Sequence, residues 1–336
     1  RVETGAWDYH DVLGASVTKE LNIFPQALPL IAKPLLPVPM TLAQLRAEPM
    51  LAVDEALATI TIRPGNWALD HDLSFPQGFI VTATAPLRID LRNGARLISR
   101  SPTHIKGLEE SNVVIFSSDG TGGGVRLLDT GRPSTWRHVR FEGFGAADSL
   151  PAVVFSAADV IMEDCQLAED GGRDLLTMVR GTLRMERVTM AGGRDQLTLA
   201  YVHATLRNVE LNAAADEAVV VHGGRADMSK VRTTNAKGVG VKAGNGAVLQ
   251  MDQCEIDAKG NGIELEEGST LNAKGGAIRS GSTGVHAGKD EQRHGPCKVD
   301  VMGTAIEGAK APLHVGKGSM VKVDGNTVKA DPGPAS

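Results

Sequence analysis

Three aspartates at a regular spacing are the residues of this sequence whose types and positions best suit chemistry. Asp174, Asp195 and Asp216 follow one another at intervals of 21 residues, and the word Gly-Gly-Arg-Asp is repeated at 171–174 and 192–195. In a coil with one turn per interval, their carboxylates would stack ~5 Å apart. Carboxylates that close raise one another's pKa, bind a cation such as calcium, or match the spacing used by retaining glycosidases.

Two arginines, Arg173 and Arg194, stand immediately before the first two aspartates. A guanidinium group pairs with a carboxylate through two parallel hydrogen bonds, so these arginines are predicted to hold the carboxylate of an acidic sugar. Together the aspartates and arginines form a candidate site for an epimerase or a lyase that acts on an acidic polysaccharide. Calcium is the only cofactor candidate.

The same pattern also has a structural interpretation. Asp is favoured in turns because its side chain bonds nearby backbone N–H groups, and a repeating coil repeats its turn residues. The local motifs of polygalacturonase-type, pectate-lyase-type and mannuronan-epimerase-type proteins are not found in the coil. The structural interpretation is therefore preferred, and the catalytic interpretation is kept as the alternative.

Histidines supply further candidates. His203 and His222 fall in the same part of the chain as the aspartates, where they would act as acid, base or substrate-binding groups. His286, His294 and Cys297 flank a charged insertion, but their spacing matches no standard zinc signature. No metal site is predicted there.

The elements that must position these residues repeat along the chain. Four similar blocks begin 22 residues apart, at Glu217, Val239, Asn261 and Thr283, and upstream the interval varies from 21 to 23. Each block contains two or three short apolar stretches separated by turn residues, which indicates alternating strands and turns. The repeat predicts an all-β fold, a right-handed parallel β-helix of about 12 coils over residues 57–329.

Apolar residues predict the register of these coils. In the first strand of each block an apolar group recurs in register, as Val153-Val154-Phe155, Leu175-Leu176, Gln196-Leu197, Ala218-Val219, Gly240-Val241, Gly262-Ile263 and Gly284-Val285. In the second strand of the upstream blocks the residues placed in register are Ile161, Leu183, Leu206 and Met228. Side chains in such columns are expected to point into the core.

A stacked coil needs closed ends, because its terminal strands otherwise expose unpaired backbone and open core. Thr41 and Gln44 form a capping-box pattern, which predicts a short helix that Pro49 interrupts and that covers the first coil. The sequence is thus divided into a leader with a capping helix at 1–56, the coil at 57–329 and a tail at 330–336.

Composition excludes several classes of partner. The net charge of −5 and the pI of 6.0 give no electrostatic footprint for nucleic acid. The chain has no stretch of ~18 apolar residues, so no membrane span is predicted. Three scattered cysteines indicate buried, unpaired thiols. The first residue is an arginine, which is consistent with the loss of a leader, a tag or an upstream domain.

One region resembles a known family. The segments Asn112-Val-Val-Ile-Phe-Ser-Ser-Asp-Gly-Thr-Gly-Gly-Gly-Val-Arg-Leu-Leu-Asp129 and Pro133-Ser-Thr-Trp-Arg-His-Val-Arg-Phe-Glu-Gly143 are similar to the β-helix region that accompanies CotH-type (spore-coat-H-type) kinase domains in bacterial exported proteins. The resemblance covers approximately residues 60–325. It implies a right-handed β-helix and a periplasmic, secreted or cell-envelope setting. It brings no reaction, because the kinase-like domain is absent from this sequence.

Two functions follow from these observations. The preferred hypothesis is a non-catalytic scaffold or binding module of an exported bacterial protein, which presents a rigid face to a partner protein, the cell envelope or a polysaccharide. The alternative is a carbohydrate-active enzyme, an epimerase or lyase on acidic polysaccharide. In the alternative, the three aspartates are the catalytic groups or cation ligands, and the arginines and histidines bind the substrate.

Overall fold

The computed structural model describes residues 7–10, 16–19, 38–145, 150–169, 172–288 and 295–329. Two short strands, β1 (Trp7–His10) and β2 (Ser16–Lys19), pair antiparallel in a small unit of their own. The remaining described elements belong to a second unit that begins at Pro39. Of the predicted leader only β1, β2 and the part from residue 38 onward are described, and the predicted tail at 330–336 lies outside the described residues.

The second unit is a right-handed parallel β-helix, as predicted. The described residues form 11 coils, one fewer than the 12 predicted, and each coil contributes one strand to each of three faces. The strands of the first face stack in this order: β6 (Leu73–Phe75), β9 (Arg96–Ser99), β12 (Gly124–Leu128), β15 (Val153–Ser156), β18 (Leu176–Glu186), β20 (Leu197–Arg207), β22 (Val219–Ser229), β24 (Val241–Gly244), β27 (Ile263–Leu265), β30 (Thr283–Ala287) and β33 (Ala311–Val315).

Strands β18, β20 and β22 are 11 residues long and continue around the bend onto the second face. They complete a column of β4 (Thr59–Ile62), β7 (Ile80–Thr84), β10 (Thr103–Lys106), β13 (Ser134–Arg137) and β16 (Val160–Glu163) before them, and β25 (Val248–Asp252), β28 (Thr270–Lys274), β31 (Lys298–Met302) and β34 (Met320–Val323) after them.

The third face is an 11-stranded sheet, whereas the first and second faces join in a 22-stranded sheet. The strands of the third face are β5 (Gly65–Leu69), β8 (Leu87–Leu91), β11 (Val113–Phe116), β14 (Val139–Glu142), β17 (Gln166–Glu169), β19 (Thr189–Gly192), β21 (Glu210–Asn212), β23 (Arg232–Ala236), β26 (Glu255–Ala258), β29 (Ala277–Ser280) and β32 (Ala305–Gly308).

Alternation of side chains builds the core. In β28, Leu271 is fully buried, whereas Thr270 and Asn272 on either side face outward and are only half buried. The predicted first-strand column is confirmed, since consecutive members such as Val241 and Ile263 are register partners. Two predicted alignments in the second strand are wrong. Leu206 is the register partner of Met185 and not of Leu183, and the alignment of Ile161 with Leu183 is explained next.

The wrong alignment of Ile161 lies in β16, on the second face. Ile161 is the register partner of Arg184 and faces outward, whereas Leu183 aligns with its neighbour Val160. Because side chains alternate between the two sides of a strand, a shift of one residue turns an expected core residue into a surface residue.

The bend between the second and third faces repeats the same backbone geometry from coil to coil. One residue in each of six consecutive coils has a left-handed conformation, with φ from 50° to 54°: His138, Asp164, Arg187, Asn208, Lys230 and Gln253. The repetition keeps the faces in register, so residues at equivalent turn positions stack.

Both ends of the second face are closed by antiparallel strands. The predicted capping helix, α1 (Leu42–Ala47), begins with the Thr41–Gln44 capping box and leads into β3 (Leu51–Asp54), which pairs antiparallel with β4. At the other end β35 (Asn326–Val328) pairs antiparallel with β34. Among the described residues, no helix is long and apolar enough to cross a membrane.

Candidate functional site

Asp174 and Asp195 occupy the same position on consecutive coils, two residues before the first-face strand. The carbonyl of Asp195 accepts the N–H of Leu175 at 2.9 Å, and on the next coil the carbonyl of Glu217 accepts the N–H of Gln196 at 3.1 Å. The third member of this column is therefore Glu217. The predicted stack is correct for its first two members and wrong for the third.

Asp216 lies one position earlier in its coil. Its N–H donates to the carbonyl of Arg194 at 3.0 Å, so Asp216 is aligned with Arg194 rather than with Asp195. The coil that runs from Asp195 to Glu217 is one residue longer than the coil before it. The sequence contained a signal for Glu217, since the unvarying 22-residue repeat begins at that residue.

The side chains of Asp195 and Glu217 bond to each other. Burial, together with the hydrogen bond to Asp195 and the nearby negative charges, raises the pKa of Glu217 to about 8. Burial also raises the pKa of Asp195, although the hydrogen bond from Glu217 opposes this effect. Two carboxyl groups this close do not readily both ionise, so near neutral pH they hold one proton, which lies on Glu217. The pair thus combines an acid and a base.

Arg194 lies beside the Asp195–Glu217 pair. Its guanidinium group donates to both carboxylate oxygens of Asp174, at 2.8 and 2.9 Å, and lies 4.0 Å from the carboxylate of Asp195. The Asp174 carboxylate also accepts the N–H of Asp195 at 3.3 Å. Arg194 is more than half exposed, so it remains accessible to a ligand that competes for it.

Arg173, the other predicted clamp, has a different position. Its side chain is only 4% exposed and donates to the backbone carbonyls of Gly122, at 2.9 Å, and Leu150. Burial lowers the pKa of Arg173 to about 10. A guanidinium group that is buried and bonded to the main chain is not presented to a sugar, so the structure gives Arg173 a packing role in place of the predicted substrate clamp.

Lys242 supplies a second cation on the first face. It lies on the coil after Glu217, and its ammonium group is 3.6 Å from Glu264 and 3.8 Å from Glu266. Although burial acts to lower it, these carboxylates and that of Glu217 raise the pKa of Lys242. The ammonium group is therefore charged throughout the neutral range.

His222 lies on the first face of the same coil as Glu217, as the sequence suggested. Burial, and then the charge of Lys242, lower the pKa of His222, so its imidazole is neutral at pH 7. Its register partner on the next coil is Gly244. A Cβ atom at Gly244 would lie 3.9 Å from Nδ1 of His222 and 3.8 Å from a carboxylate oxygen of Glu267, so these two side chains face each other across the glycine.

His203 is separated from these groups. It lies on the second face, its side chain is 60% exposed, and its Nε2 is 3.4 Å from the carboxylate of Asp227. The structure therefore does not bring it to the aspartates, and the predicted substrate-binding role of His203 finds no support from its position.

The structure gives no support for a metal site at His286, His294 and Cys297. The rings of His286 and His314 pack with their centroids 4.5 Å apart and their planes tilted by 36°, and Cys297 is a buried thiol. His294 lies outside the described residues. All three cysteines are buried, as predicted.

We call Asp195, Glu217, Lys242, His222 and Glu267 the first-face cluster. It contains a carboxyl pair with one proton, a charged amine and a neutral imidazole, which are the groups required for proton transfer to and from a bound substrate. Beside it, carboxylate oxygens of Asp195, Asp216 and Glu217 lie within 4.8 Å of one another, a spacing that suits a hard cation such as calcium.

Comparisons with known proteins agree on the fold. The chain is similar to the periplasmic alginate epimerase AlgG, with a TM-score of 0.54 and 10% identity over 83% of this chain and 80% of that chain. A variant of that epimerase gives a TM-score of 0.53 at 11% identity, with the same coverage. A polygalacturonase from Erwinia carotovora gives a TM-score of 0.32 at 12% identity, over 75% and 85% of the two chains.

At these identities the first two likenesses show the fold alone, which is a right-handed parallel β-helix. No family model matches the chain, and no curated protein matches it significantly.

Proposed function

We propose that the protein is an enzyme that transfers protons on an acidic polysaccharide, as an epimerase or a lyase, and that the Asp195–Glu217 pair is its acid and base. One observation carries the proposal: Asp195 and Glu217 lie on consecutive coils with carboxylate oxygens within 4.8 Å of each other, partly buried, and this closeness and burial raise the pKa of Glu217 to about 8. Functional sites are where carboxyl groups are held in such opposed protonation states.

The chemistry begins with removal of the proton at C5 of a uronate. The ionised Asp195 accepts this proton, and the electron pair left behind moves towards the sugar carboxylate. Epimerisation is completed when the electron pair returns from the sugar carboxylate to C5 and the protonated Glu217 delivers its proton to the opposite face of C5, so that Asp195 ends protonated and Glu217 ionised. In elimination the C4–O4 bond breaks instead, and the protonated Glu217 supplies the proton to the leaving oxygen.

The intermediate carries extra negative charge on the sugar carboxylate, which must be stabilised. Lys242 and Arg194 are the accessible cations next to the pair, but each already bonds to carboxylates of the protein. Arg194 is more than half exposed, so the sugar carboxylate would compete with Asp174 for it. Calcium on Asp195, Asp216 and Glu217 would require the pair to release its proton, so it would oppose this acid–base chemistry and is left out of the mechanism.

This proposal replaces the scaffold as the preferred function. A scaffold requires only outward polar residues, and it gives no reason to bury two carboxyl groups against each other at a cost in stability. The likeness in fold to an alginate epimerase agrees with the proposal and does not carry it. An exported or cell-envelope location, as the CotH-type resemblance implies, would give the enzyme access to such polymers.

The test is an assay of the purified chain on alginate, polygalacturonate and a neutral glucan, with and without calcium. A lyase produces an unsaturated sugar that absorbs in the ultraviolet, whereas an epimerase introduces deuterium at C5 from D2O without shortening the chain. We expect one of these signals on a polyuronate, its loss in Asp195→Asn, and its retention in Glu255→Gln, a control on the third face. Absence of both signals on every polymer would leave the scaffold hypothesis in place.

A further inference from the structure

The second face carries a shallow groove that plays no part in the proposed chemistry. The groove has a volume of about 590 Å³ and crosses five coils, from Thr205 on β20 to Asp300 on β31. Four strand spacings separate its ends, which corresponds to roughly 19 Å. Such a length suits an extended ligand that lies along the axis of the coil.

One column of side chains forms the floor of this second-face groove. Register partners on consecutive coils place them one above the next, in the order Thr205, Asp227, Gln250, Asn272 and Asp300. Each coil therefore offers one polar group at a constant interval of ~4.8 Å. The spacing is that of a ladder of equivalent contacts for a repeating ligand.

Near the N-terminal end of the β-helix, the same column contains residues that bond to one another. There the hydroxyl groups of Thr61 and Thr82 lie 3.1 Å apart, and the ring of His104 bonds to Thr135 at 2.8 Å. Outward polar groups in that region thus satisfy one another.

In the groove only Asp227 continues this pattern, since it pairs with Arg225 and His203; the coils after it differ. Within the described part of the chain, the side chains of Gln250, Asn272 and Asp300 make no hydrogen bond or ion pair. Lys274, at the edge of the groove, also has a free ammonium group among the described residues. Near the N-terminal end of the β-helix, side chains of this column bond to one another. In the groove, the donors and acceptors of Gln250, Asn272 and Asp300 are available to a ligand instead.

We infer that the second-face groove binds a polysaccharide chain through its hydroxyl groups. A carboxamide offers two donors and an acceptor in one plane, which matches the neighbouring hydroxyls of a sugar ring. The residues lining the groove are polar and methionine rather than aromatic, so recognition depends on hydrogen bonds more than on stacking. This inference goes beyond the proposed reaction, because the groove and the first-face cluster lie on different faces.

The experiment is a calorimetric titration of the full chain with oligosaccharides of alginate, polygalacturonate and a neutral β-glucan. We expect at least one to bind, with affinity that increases with length up to about the length of the groove. The double variant Gln250→Ala with Asn272→Ala is expected to weaken binding at least tenfold. The matched control, Thr82→Ala with Thr135→Ala on the same column, should bind as the parent does.

Binding and turnover are separated by one further variant. Glu217→Gln should keep the full affinity of the groove even where turnover is lost, so failure of the proposed reaction leaves this inference standing. If the alanine double variant does not fold, Gln250→Glu with Asn272→Asp keeps the side-chain size and removes the donors. The inference is overturned if no oligosaccharide binds, or if the groove variants bind within twofold of the parent.

Discussion

The backbone N–H of Glu217 donates to Oδ1 of Asp195 at 3.3 Å, while the carboxyl group of Glu217 bonds to the same side chain. Asp195 is thus held by one residue from two directions. The contact exists because equivalent positions of consecutive coils are one strand spacing apart. The protonation state of the Asp195–Glu217 pair has consequences for stability, for catalysis and for metal binding.

Stability should decrease as pH rises through the range in which Glu217 ionises. The pKa of Glu217 is about 8 in the folded chain against an ordinary value of 4.5, so the folded state binds the extra proton. The favourable contribution is complete below pH 4.5 and lost as the pH passes 8. After allowance for partial exposure we expect about 1–2 kcal/mol. Glu217→Gln should remove this part of the pH dependence of urea unfolding, and Glu255→Gln should not; an unchanged slope in Glu217→Gln would contradict the assignment.

Catalytic activity should fall above pH 8, when the pair loses its proton. Arg194 lies 4.0 Å from Asp195 and favours its ionised form, so Arg194→Gln should raise the pKa of the pair and move the pH profile to higher pH. The matched control is Arg232→Gln, which removes an arginine that pairs with Glu255 at 3.0 Å on the third face. Profiles of kcat/KM against pH would test this, and a shift equal to that of the control would refute it.

Calcium should compete with the proton on the pair. A protonated carboxyl group is a poor ligand, so calcium binding by Asp195, Asp216 and Glu217 requires its release. We therefore expect calcium to raise the melting temperature more at pH 8.5 than at pH 6. Asp216→Asn should reduce the effect at both values, and an equal effect of calcium on the parent at the two pH values would exclude this site.

Gly244 should tolerate a methyl group that Gly262 does not. Among the described residues, the atoms that a Cβ at Gly244 would approach lie 3.8 Å or more away, whereas at Gly262 it would lie 2.5 Å from Ile278 and 2.6 Å from the carbonyl of Gly284. Gly244→Ala should change the free energy of unfolding by less than about 1 kcal/mol, and Gly262→Ala should lower it by about 2–3 kcal/mol. Chemical denaturation of both variants tests the geometry of the first face, and equal losses would refute it.

Leu271 and Thr270 test the inward and outward alternation directly. Leu271 is fully buried, so Leu271→Asn removes apolar contacts and buries an amide without a partner. We expect a loss of about 3 kcal/mol or more, against less than about 0.5 kcal/mol for Thr270→Asn on the outer side. Similar melting temperatures of the two variants would show that the register of β28 is misplaced.

The fold was predictable because the core repeats. Consecutive blocks of 22 residues leave no freedom in the register of Val241 and Ile263, and the structure confirms it. Upstream the coil length varies by one residue at the turns. The sequence does not show which turn carries the extra residue. The predicted register of Ile161 is therefore wrong by one residue, and Asp216 is predicted at the position that Glu217 occupies.

The site was predictable only in part. The spacing of Asp174 and Asp195 was enough to place them on one column, and His222 was expected nearby. The burial of Arg173 and the raised pKa of Glu217 depend on what packs over each side chain, which spacing does not specify. The bend that separates His203 from the aspartates lies at Tyr201 within a continuous strand. Glycines mark the equivalent bends of the neighbouring coils, at Gly181 and at Gly223 and Gly224, but not this one. The association with CotH-type kinase domains stays a prediction.

The antiparallel strands at the two ends have a consequence for how copies of this protein meet. A parallel coil is a template on which another chain of the same direction would add, as fibrils grow. On the second face both terminal positions are instead taken by strands of reversed direction, β3 and β35. Because both outermost strands of that face run in the opposite direction, a second copy cannot continue the parallel stacking there in register.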